Sequence, residues 1–234
     1  MKIALLGYGR MGKTIEKFAQ ERNHEIVFIL DKNEEKGSLA EAEVAINFSV
    51  PEAAVKNIKL ALGKKIPVIC GTTGWLDFYD EVTSFCNTNK TAFLYASNFS
   101  IGVNLFFKIN ELAAKLMKPH SEEYKPSIQE IHHIHKLDAP SGTAITIAES
   151  LVDTGHFSTW ELNGTTDKKL NIESVREGEV PGTHSITYHS QVDEISLKHE
   201  AFSRDGFALG AVIAAEWIVG KQGVFTMKDV LDLK

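Results

Sequence analysis

Cysteine is almost absent: Cys70 and Cys86 are the only two in 234 residues. Two thiols cannot build a disulfide framework, and such a chain suits a reducing compartment. Long apolar runs are missing too. No stretch approaches the roughly 18 to 20 consecutive apolar residues of a membrane span. The opening M-K-I-A-L-L-G is too short for the apolar region of a signal peptide. A cytoplasmic protein with no membrane partner is therefore expected. Positive charge is also in deficit, with a net charge of −6. A broad nucleic-acid footprint is therefore not expected, and any anion site must be a local exception. Hydrophobic residues at 43% and charged residues at 24% are ordinary for a globular chain long enough for one or two domains.

The first hundred residues alternate short apolar runs with helical patterns. Lys2 to Leu6 meets glycine at once, giving Gly7-Tyr8-Gly9-Arg10-Met11-Gly12. A helix with Ile15, Phe18 and Ala19 on one face follows, then a buried strand from Glu25 to Leu30 that ends at Asp31. The bland alternative is a glycine-rich βα turn with Asp31 as a solvated strand end. Strand, G-x-G-x-x-G, helix, strand and acid in that order make a dinucleotide fingerprint. Glycines permit a tight turn and close approach of a pyrophosphate, and the acid meets ribose hydroxyls. Asp31 disfavours a 2′-phosphate and so points to NADH, while the adjacent Lys32 offers NADPH a cation.

The polar segment from Asp31 to Glu43 is expected to be a loop. Further strands are expected at Val44–Phe48, Pro67–Cys70 and Phe93–Ala96, with a helix starting at Pro51. Gly71-Thr72-Thr73-Gly74 and Ala96-Ser97-Asn98-Phe99 then lie just past strand carboxyl ends, where open α/β sheets bind ligands. This alternation predicts a Rossmann-like, doubly wound parallel sheet domain over 1–101.

After Ile101 a helix carrying Leu105, Phe106, Ile109, Leu112, Ala113 and Leu116 leads into a different texture. Strands at Ser127–Ile134, Lys169–Arg176, Thr183–Tyr188 and Glu194–His199 alternate polar with apolar, as half-buried antiparallel strands do. They predict an α+β substrate-binding and oligomerisation domain with a mixed sheet over 102–206. Phe207 to Val219 is apolar nearly all round, and Thr226 with Asp229 opens a short last helix. This tail is expected to return to the first domain, so that 207–234 completes it.

The chemistry concentrates in E-I-H-H-I-H-K-L-D-A-P-S-G-T-A, Glu130 to Ala144. His132, His133, His135 and Lys136 fall within five residues, and an imidazole exchanges protons near neutrality. Asp138-Ala139-Pro140 reads as a turn, and Ser141 as the N-cap of a helix with apolar positions Ala144, Ile147, Ala148, Leu151 and Val152. The amides of Gly142 and Thr143 would then sit at a helix N-terminus, a place for a carboxylate or phosphate. The bland alternative is a histidine-rich edge strand. A metal site is a further alternative, but H-E-x-x-H, a cysteine partner and an obvious carboxylate ligand are missing, so no metal is expected. The remaining reading is acid–base catalysis beside an anion cradle. Were the strand to run through residue 136, His132 and Lys136 would stand about 13 Å apart, so cooperation requires a bend near Ile134 to Lys136.

With these motifs in view, the chain resembles the dihydrodipicolinate reductase family over nearly its whole length. The resemblance rests on G-x-G-R-M-G at Gly7–Gly12, F-S-x-P at Phe48–Pro51, G-T-T-G at Gly71–Gly74 and S-N-F-S-I-G-V-N at Ser97–Asn104. It rests above all on the Glu130–Ala144 stretch, with Arg176-Glu177-Gly178 and Pro181-Gly182-Thr183-His184 later in the chain. It implies NADH- or NADPH-dependent reduction of a cyclic dicarboxylate in lysine and diaminopimelate synthesis. His132 falls at the acid–base position and Lys136 at that of a proton donor. His133, Ser141, Gly142 and Thr143 fall where substrate is bound. Gly7, Tyr8, Gly9, Arg10, Met11, Gly12, Asp31, Lys32, Gly71, Thr72, Thr73, Ala96, Ser97, Asn98 and Phe99 fall where the nicotinamide cofactor is held. A homotetramer is implied as well. The segment between Asp31 and Val44 is shorter than in longer members, and Ile213 stands where many carry arginine.

Overall fold

A computed structural model describes residues 1–234 apart from 33, 165, 167 and 234. The chain divides into two compact units, residues 1–101 with 205–234, and residues 102–204. In chain order the first unit reads β1 (Lys2–Leu6), α1 (Arg10–Glu21), β2 (Glu25–Asp31), β3 (Glu34–Gly37), β4 (Val44–Asn47), α2 (Pro51–Leu62), β5 (Val68–Cys70), α3 (Tyr79–Thr88) and β6 (Ala92–Tyr95). The second adds α4 (Ile101–Met117), β7 (Lys125–His132), α5 (Gly142–Val152), β8 (Thr159–Leu162), β9 (Lys169–Arg176), β10 (Thr183–His189) and β11 (Glu194–Glu200). The chain then returns through α6 (Asp205–Ile218), β12 (Gly223–Phe225) and α7 (Met227–Val230).

The sheet of the first unit runs β12-β6-β5-β4-β1-β2-β3, parallel except for β3. Both faces are covered, and this is why its inner strands read as unbroken apolar runs. Alternate residues of β1 serve opposite faces. Ile3 and Leu5 pack with Ile15 and Ala19 of α1 and with the buried stripe of α6. Ala4 and Leu6 pack with Ala54, Ile58 and Leu62 of α2 and Val82 of α3. Cys70 and Cys86 are free and buried, and burial pushes both thiols up to about 11.

The segment expected to be a loop after Asp31 forms an antiparallel edge strand instead. β3 is E-E-K-G and exposed throughout, so it carries no apolar alternation to announce it. Charges on an exposed edge discourage pairing with other chains, and they also mask the strand in sequence. β8 and β12, of four and three residues, are further strands outside those the sequence predicts.

In the second unit the order is β11-β10-β7-β9-β8. β7 is antiparallel to β10 and parallel to β9, so the sheet is mixed. Ile128, Leu170, Ile172 and Ile186 form its inner face and pack against α4 and α5. Helix α4 buries Val103, Phe106, Asn110 and Ala114, whereas Leu105, Ile109, Leu112 and Leu116 of the expected stripe are exposed. The helix is apolar over more than half its circumference, so hydropathy alone could not choose the packed face.

Gly210 of α6 allows the closest approach in the first unit: a Cβ there would lie 1.8 Å from the Phe99 carbonyl oxygen. A backbone atom cannot swing aside. Gly210→Ala should therefore lose about 1–3 kcal/mol or more through overpacking. The check is the denaturant midpoint at constant m-value; an unchanged midpoint would mean that α6 shifts freely.

Candidate active site

Parallel strands place their carboxyl ends, and the loops that follow, along one edge of the first unit's sheet. Gly7 follows β1 there, Asp31 closes β2, Phe48 follows β4, Gly71 follows β5 and Ala96 follows β6. The turn after β1 is built for glycine. Gly7 has φ +101°, donates to the Leu30 carbonyl at 2.7 Å and sits so close to Phe48 that a Cβ would meet its carbonyl oxygen at 2.3 Å. Gly12 packs on the Gly7 carbonyl, where a Cβ would come within 2.4 Å.

Gly9 differs from both: a Cβ there would touch nothing within 4 Å. It is the N-cap of α1, and no side chain caps that helix. The first-turn amides thus face open space, as an incoming pyrophosphate requires. A cleft of about 740 Å³ lies beside them, lined by Gly7, Gly9, Asp31, Lys32, Phe48 and Lys56 among others. These residues fit a dinucleotide.

The other expected cofactor positions occupy the neighbouring loops. Thr72 is buried and its hydroxyl accepts from the Ser49 amide at 2.9 Å, so it braces the loop after β4, while Thr73 is exposed. Tyr8 gives its hydroxyl proton to Glu16, and that bond first, then burial, raises the phenol to about 12. Arg10 and Ser97 are exposed, Met11 and Ala96 half-buried. Phe99 is buried, with its ring 5.6 Å from that of Phe48. Phe48 and Lys56 line the cleft without having been singled out as binding residues; F-S-x-P before α2 was the available signal.

In the second unit β7 stops at His132, and the chain turns at once. Lys136 donates its amide to the His133 carbonyl at 3.1 Å, and Ile134 donates to Gly178 at 3.1 Å. The required bend is present. Beyond it Ser141 caps α5 through a 3.1 Å bond from the Ala144 amide to its hydroxyl oxygen. Among the described residues no protein acceptor takes the amides of Gly142 and Thr143, and a Cβ on Gly142 would meet nothing within 4 Å. His133 is half-buried with Nδ1 unpartnered. Lys136 pairs with Asp138 at 2.7 and 2.8 Å, and that pairing, ahead of the opposing burial, holds the Asp138 carboxyl low. His135 points outward to Glu179.

Strand alternation puts Ile128, Glu130 and His132 on the buried face of β7. Register places His184 of β10 opposite Glu130, and Arg176 of β9 beside His132. Glu130 is fully buried and its Oε2 bonds His132 Nδ1. Its Oε1 accepts from Arg176 at 3.0 Å and from the Ser141 amide at 3.3 Å. Burial alone would raise this carboxyl; the bond from His132 first, then that from Arg176, outweighs it and leaves it at about 2. His184 Nε2 meets the Ser141 hydroxyl at 2.9 Å, and its ring stands edge-on to His132 at 5.1 Å. Glu130, Arg176 and His184 lie in the sequence motifs with no role that local spacing could assign, because only strand register brings them together.

Donor atoms of Glu130, His132 and His184 lie within 4.8 Å of one another, close enough for a cation. The Arg176 guanidinium already occupies Glu130, and the Ser141 hydroxyl occupies His184 Nε2. The remaining atoms differ: Glu130 Oε2 bonds His132 Nδ1, and His184 Nδ1 is buried without a partner among the described residues.

Comparison with known proteins places this geometry. The family description "Dihydrodipicolinate reductase, N-terminus" matches residues 1–99, and "Dihydrodipicolinate reductase, C-terminus" matches 102–231. The chain belongs to the dihydrodipicolinate reductase family. The 4-hydroxy-tetrahydrodipicolinate reductase of Christiangramia forsetii is 51% identical over 234 residues, covering 99% of this chain and 98% of the relative. That of Archaeoglobus fulgidus is 35% identical over 262 residues, covering 99% and 100%. Among solved structures, the dipicolinate-bound dihydrodipicolinate reductase from Paenisporosarcina sp. TG-14 matches with a TM-score of 0.81 at 22% identity, covering 97% of each chain. A dihydrodipicolinate reductase is a nicotinamide-dependent oxidoreductase, and the fold expected from the sequence is the one observed.

The buried cluster fixes a pH dependence. Burial first, then the charges of His132, His199 and Lys136, push His184 down to about 3, with Glu130 opposing. On unfolding the ring takes up a proton near 6.5, so its contribution is complete above that pH and is lost as pH falls toward 3. Glu130, at about 2 against 4.5, adds a loss below 4.5. Stability should therefore decline from neutrality into acid. His184→Gln should flatten the decline between pH 6.5 and 4.5, measured as denaturant midpoint against pH. Parallel curves for the two proteins would assign the loss elsewhere.

Proposed function

We propose that this chain reduces 4-hydroxy-tetrahydrodipicolinate to tetrahydrodipicolinate, in lysine and diaminopimelate synthesis, using NADH or NADPH. The 4-hydroxyl leaves as water with a neighbouring ring proton, and a hydride and a proton add to the unsaturated ring that results. One observation carries the reading: an imidazole anchored on a buried carboxylate stands beside an uncovered helix N-terminus. Proton donor and anion cradle share Ser141, whose amide binds Glu130 and whose hydroxyl caps α5.

The cofactor, when bound, supplies the hydride. The first unit holds it, with Gly7 to Gly12 at the pyrophosphate, Asp31 and Lys32 at the adenosine ribose, and Gly71, Thr72, Thr73 and Ala96 to Phe99 along the other loops. In the second unit the amides of Gly142 and Thr143 receive a substrate carboxylate, with His133 close by. His132 delivers a proton from Nε2 to the ring carbon where electron density builds, and Lys136 neutralises the anion or shares that delivery. Asp31 supports a preference for NADH. Assembly as a homotetramer and a cytoplasmic location follow the family resemblance, and Ile195 on β11, 44% exposed, is apolar surface for an interface.

The test generates substrate in place from pyruvate and aspartate semialdehyde with dihydrodipicolinate synthase and follows nicotinamide absorbance. Oxidation should depend on the synthase, with the larger kcat/KM for NADH. Asp31→Ser should raise kcat/KM for NADPH relative to NADH. His132→Ala should lower kcat about 10²-fold or more while leaving cofactor affinity unchanged by calorimetry. Lys136→Ala should lower turnover similarly. No synthase-dependent oxidation with either cofactor would reject the reading, and near-normal turnover in Lys136→Ala would remove that lysine from proton delivery.

A further inference from the structure

We infer that Glu130 is the positioning residue of the acid–base histidine: its carboxylate fixes the proton of His132 on Nδ1 and leaves Nε2 as the atom that exchanges protons. The inference rests on the proposed reduction for its kinetic part alone.

The two oxygens of Glu130 have divided tasks. Oε1 receives two donors, the Arg176 guanidinium at 3.0 Å and the Ser141 amide at 3.3 Å. Oε2 is left for His132 Nδ1. A carboxylate only accepts, so Nδ1 must carry a hydrogen in both the neutral ring and the imidazolium. Glu130 is fully buried on the same strand face as His132, two residues away, so it has little freedom to turn. The other charged or titratable groups around the pair are Arg176 from β9, His184 from β10, His199 beyond it on β11, and Lys136 from the turn.

The far nitrogen is treated differently. Among the described residues no protein group hydrogen-bonds His132 Nε2. The backbone of Gly182 passes so close that a Cβ there would lie 3.0 Å from it. At φ +156°, glycine keeps that side clear of a side chain. One nitrogen is held and the other is open.

The proton step balances simply. The Nε2–H bond of the imidazolium breaks and its electron pair stays on nitrogen, while the ring carbon–carbon π pair left after hydride addition forms the new C–H bond and the ring C=N bond reforms. Nε2 then regains a proton from solvent, while the other proton stays on His132 Nδ1, hydrogen-bonded to Glu130 Oε2, throughout. Were the tautomer reversed, the neutral ring would hold its proton on Nε2 and could not recover one there.

Glu130→Gln tests this with almost no change of shape. The Oε1 position faces two donors, so the glutamine oxygen must settle there and its NH₂ must face His132 Nδ1. Nδ1 is then forced to accept, and the proton moves to Nε2. Nitrogen-15 spectra of histidine-labelled protein, with His132 assigned by its alanine variant, report the tautomer directly. The neutral ring should show Nδ1–H in the parent and Nε2–H in E130Q. In the coupled assay E130Q should lose about 10²-fold or more in kcat, with substrate KM within about 3-fold and cofactor affinity unchanged. A residue that merely stabilised the fold would lower the denaturant midpoint and leave the tautomer in place. A parent spectrum with a bare Nδ1 overturns the inference whether or not E130Q folds. So does an E130Q protein with parental turnover. Because the spectrum needs no substrate, a failure of the proposed reaction and a failure of this inference are separable.

Discussion

A buried carboxylate that must stay ionised organises the second unit. Glu130 has no exposed surface, and a charge taken out of water survives only when its oxygens are matched by donors. Three elements supply them: Arg176 from β9, the Ser141 amide at the start of α5, and His132 from β7 itself. Each partner is thereby fixed to within a hydrogen-bond length. Arg176 carries the constraint further, donating to the carbonyls of Lys136 at 3.3 Å and Asp138 at 2.7 Å. The turn that bears Lys136 and the helix start that bears the open amides thus hang on one ion cluster. Removing any member would leave a buried charge without its match, so the arrangement resists gradual change.

The first unit solves its packing by backbone approach rather than by charge. Gly7 against Phe48, Gly12 against Gly7 and Gly210 against Phe99 each bring main chain closer than any Cβ allows. Two of these three contacts shape the loop where α1 begins. The third presses α6 onto the segment after β6. Among the loop glycines Gly7, Gly9, Gly12, Gly71 and Gly74, it is Gly9 whose Cβ position has nothing within 4 Å. Its openness is the functional counterpart of the crowding around it.

Periodicity and punctuation carried most of this fold into the sequence. Buried parallel strands appear as apolar runs, Pro51 opens α2, Ser141 caps α5, and Thr226 with Asp229 form the capping box of α7. β3 did not announce itself because an exposed charged edge has no apolar face to repeat. The packed face of α4 stayed hidden because Leu105 and Ile109 are as apolar as the residues it buries. In the site, His132, Ser141 and the α5 amides were legible as a local string. Their supports were not. Arg176 lies 46 residues from Glu130 and His184 lies 43 from Ser141, so only strand register joins them. Cooperation of His132 with Lys136 requires a bend near Ile134 to Lys136, since an extended strand would carry the two about 13 Å apart.

The charge arrangement constrains how a dicarboxylate would be held. The cations near the α5 N-terminus are already partnered, Lys136 with Asp138 and Arg176 with Glu130. Arg176 cannot turn to a substrate without stranding a buried carboxylate, a loss of several kcal/mol by the usual measure of broken buried pairs. Lys136 stands in a different position. Its partner Asp138 is 64% exposed on its side chain, and a pair open to water contributes at most about 1 kcal/mol. Exchanging that carboxylate for one on the substrate therefore costs little, while Asp138 regains its hydration. Of the two cations, the one on the turn is free to respond and the one in the core is not. The backbone amides of Gly142 and Thr143 need no exchange at all. An acidic chain can thus receive an acidic substrate with two uncommitted amides and one readily released lysine.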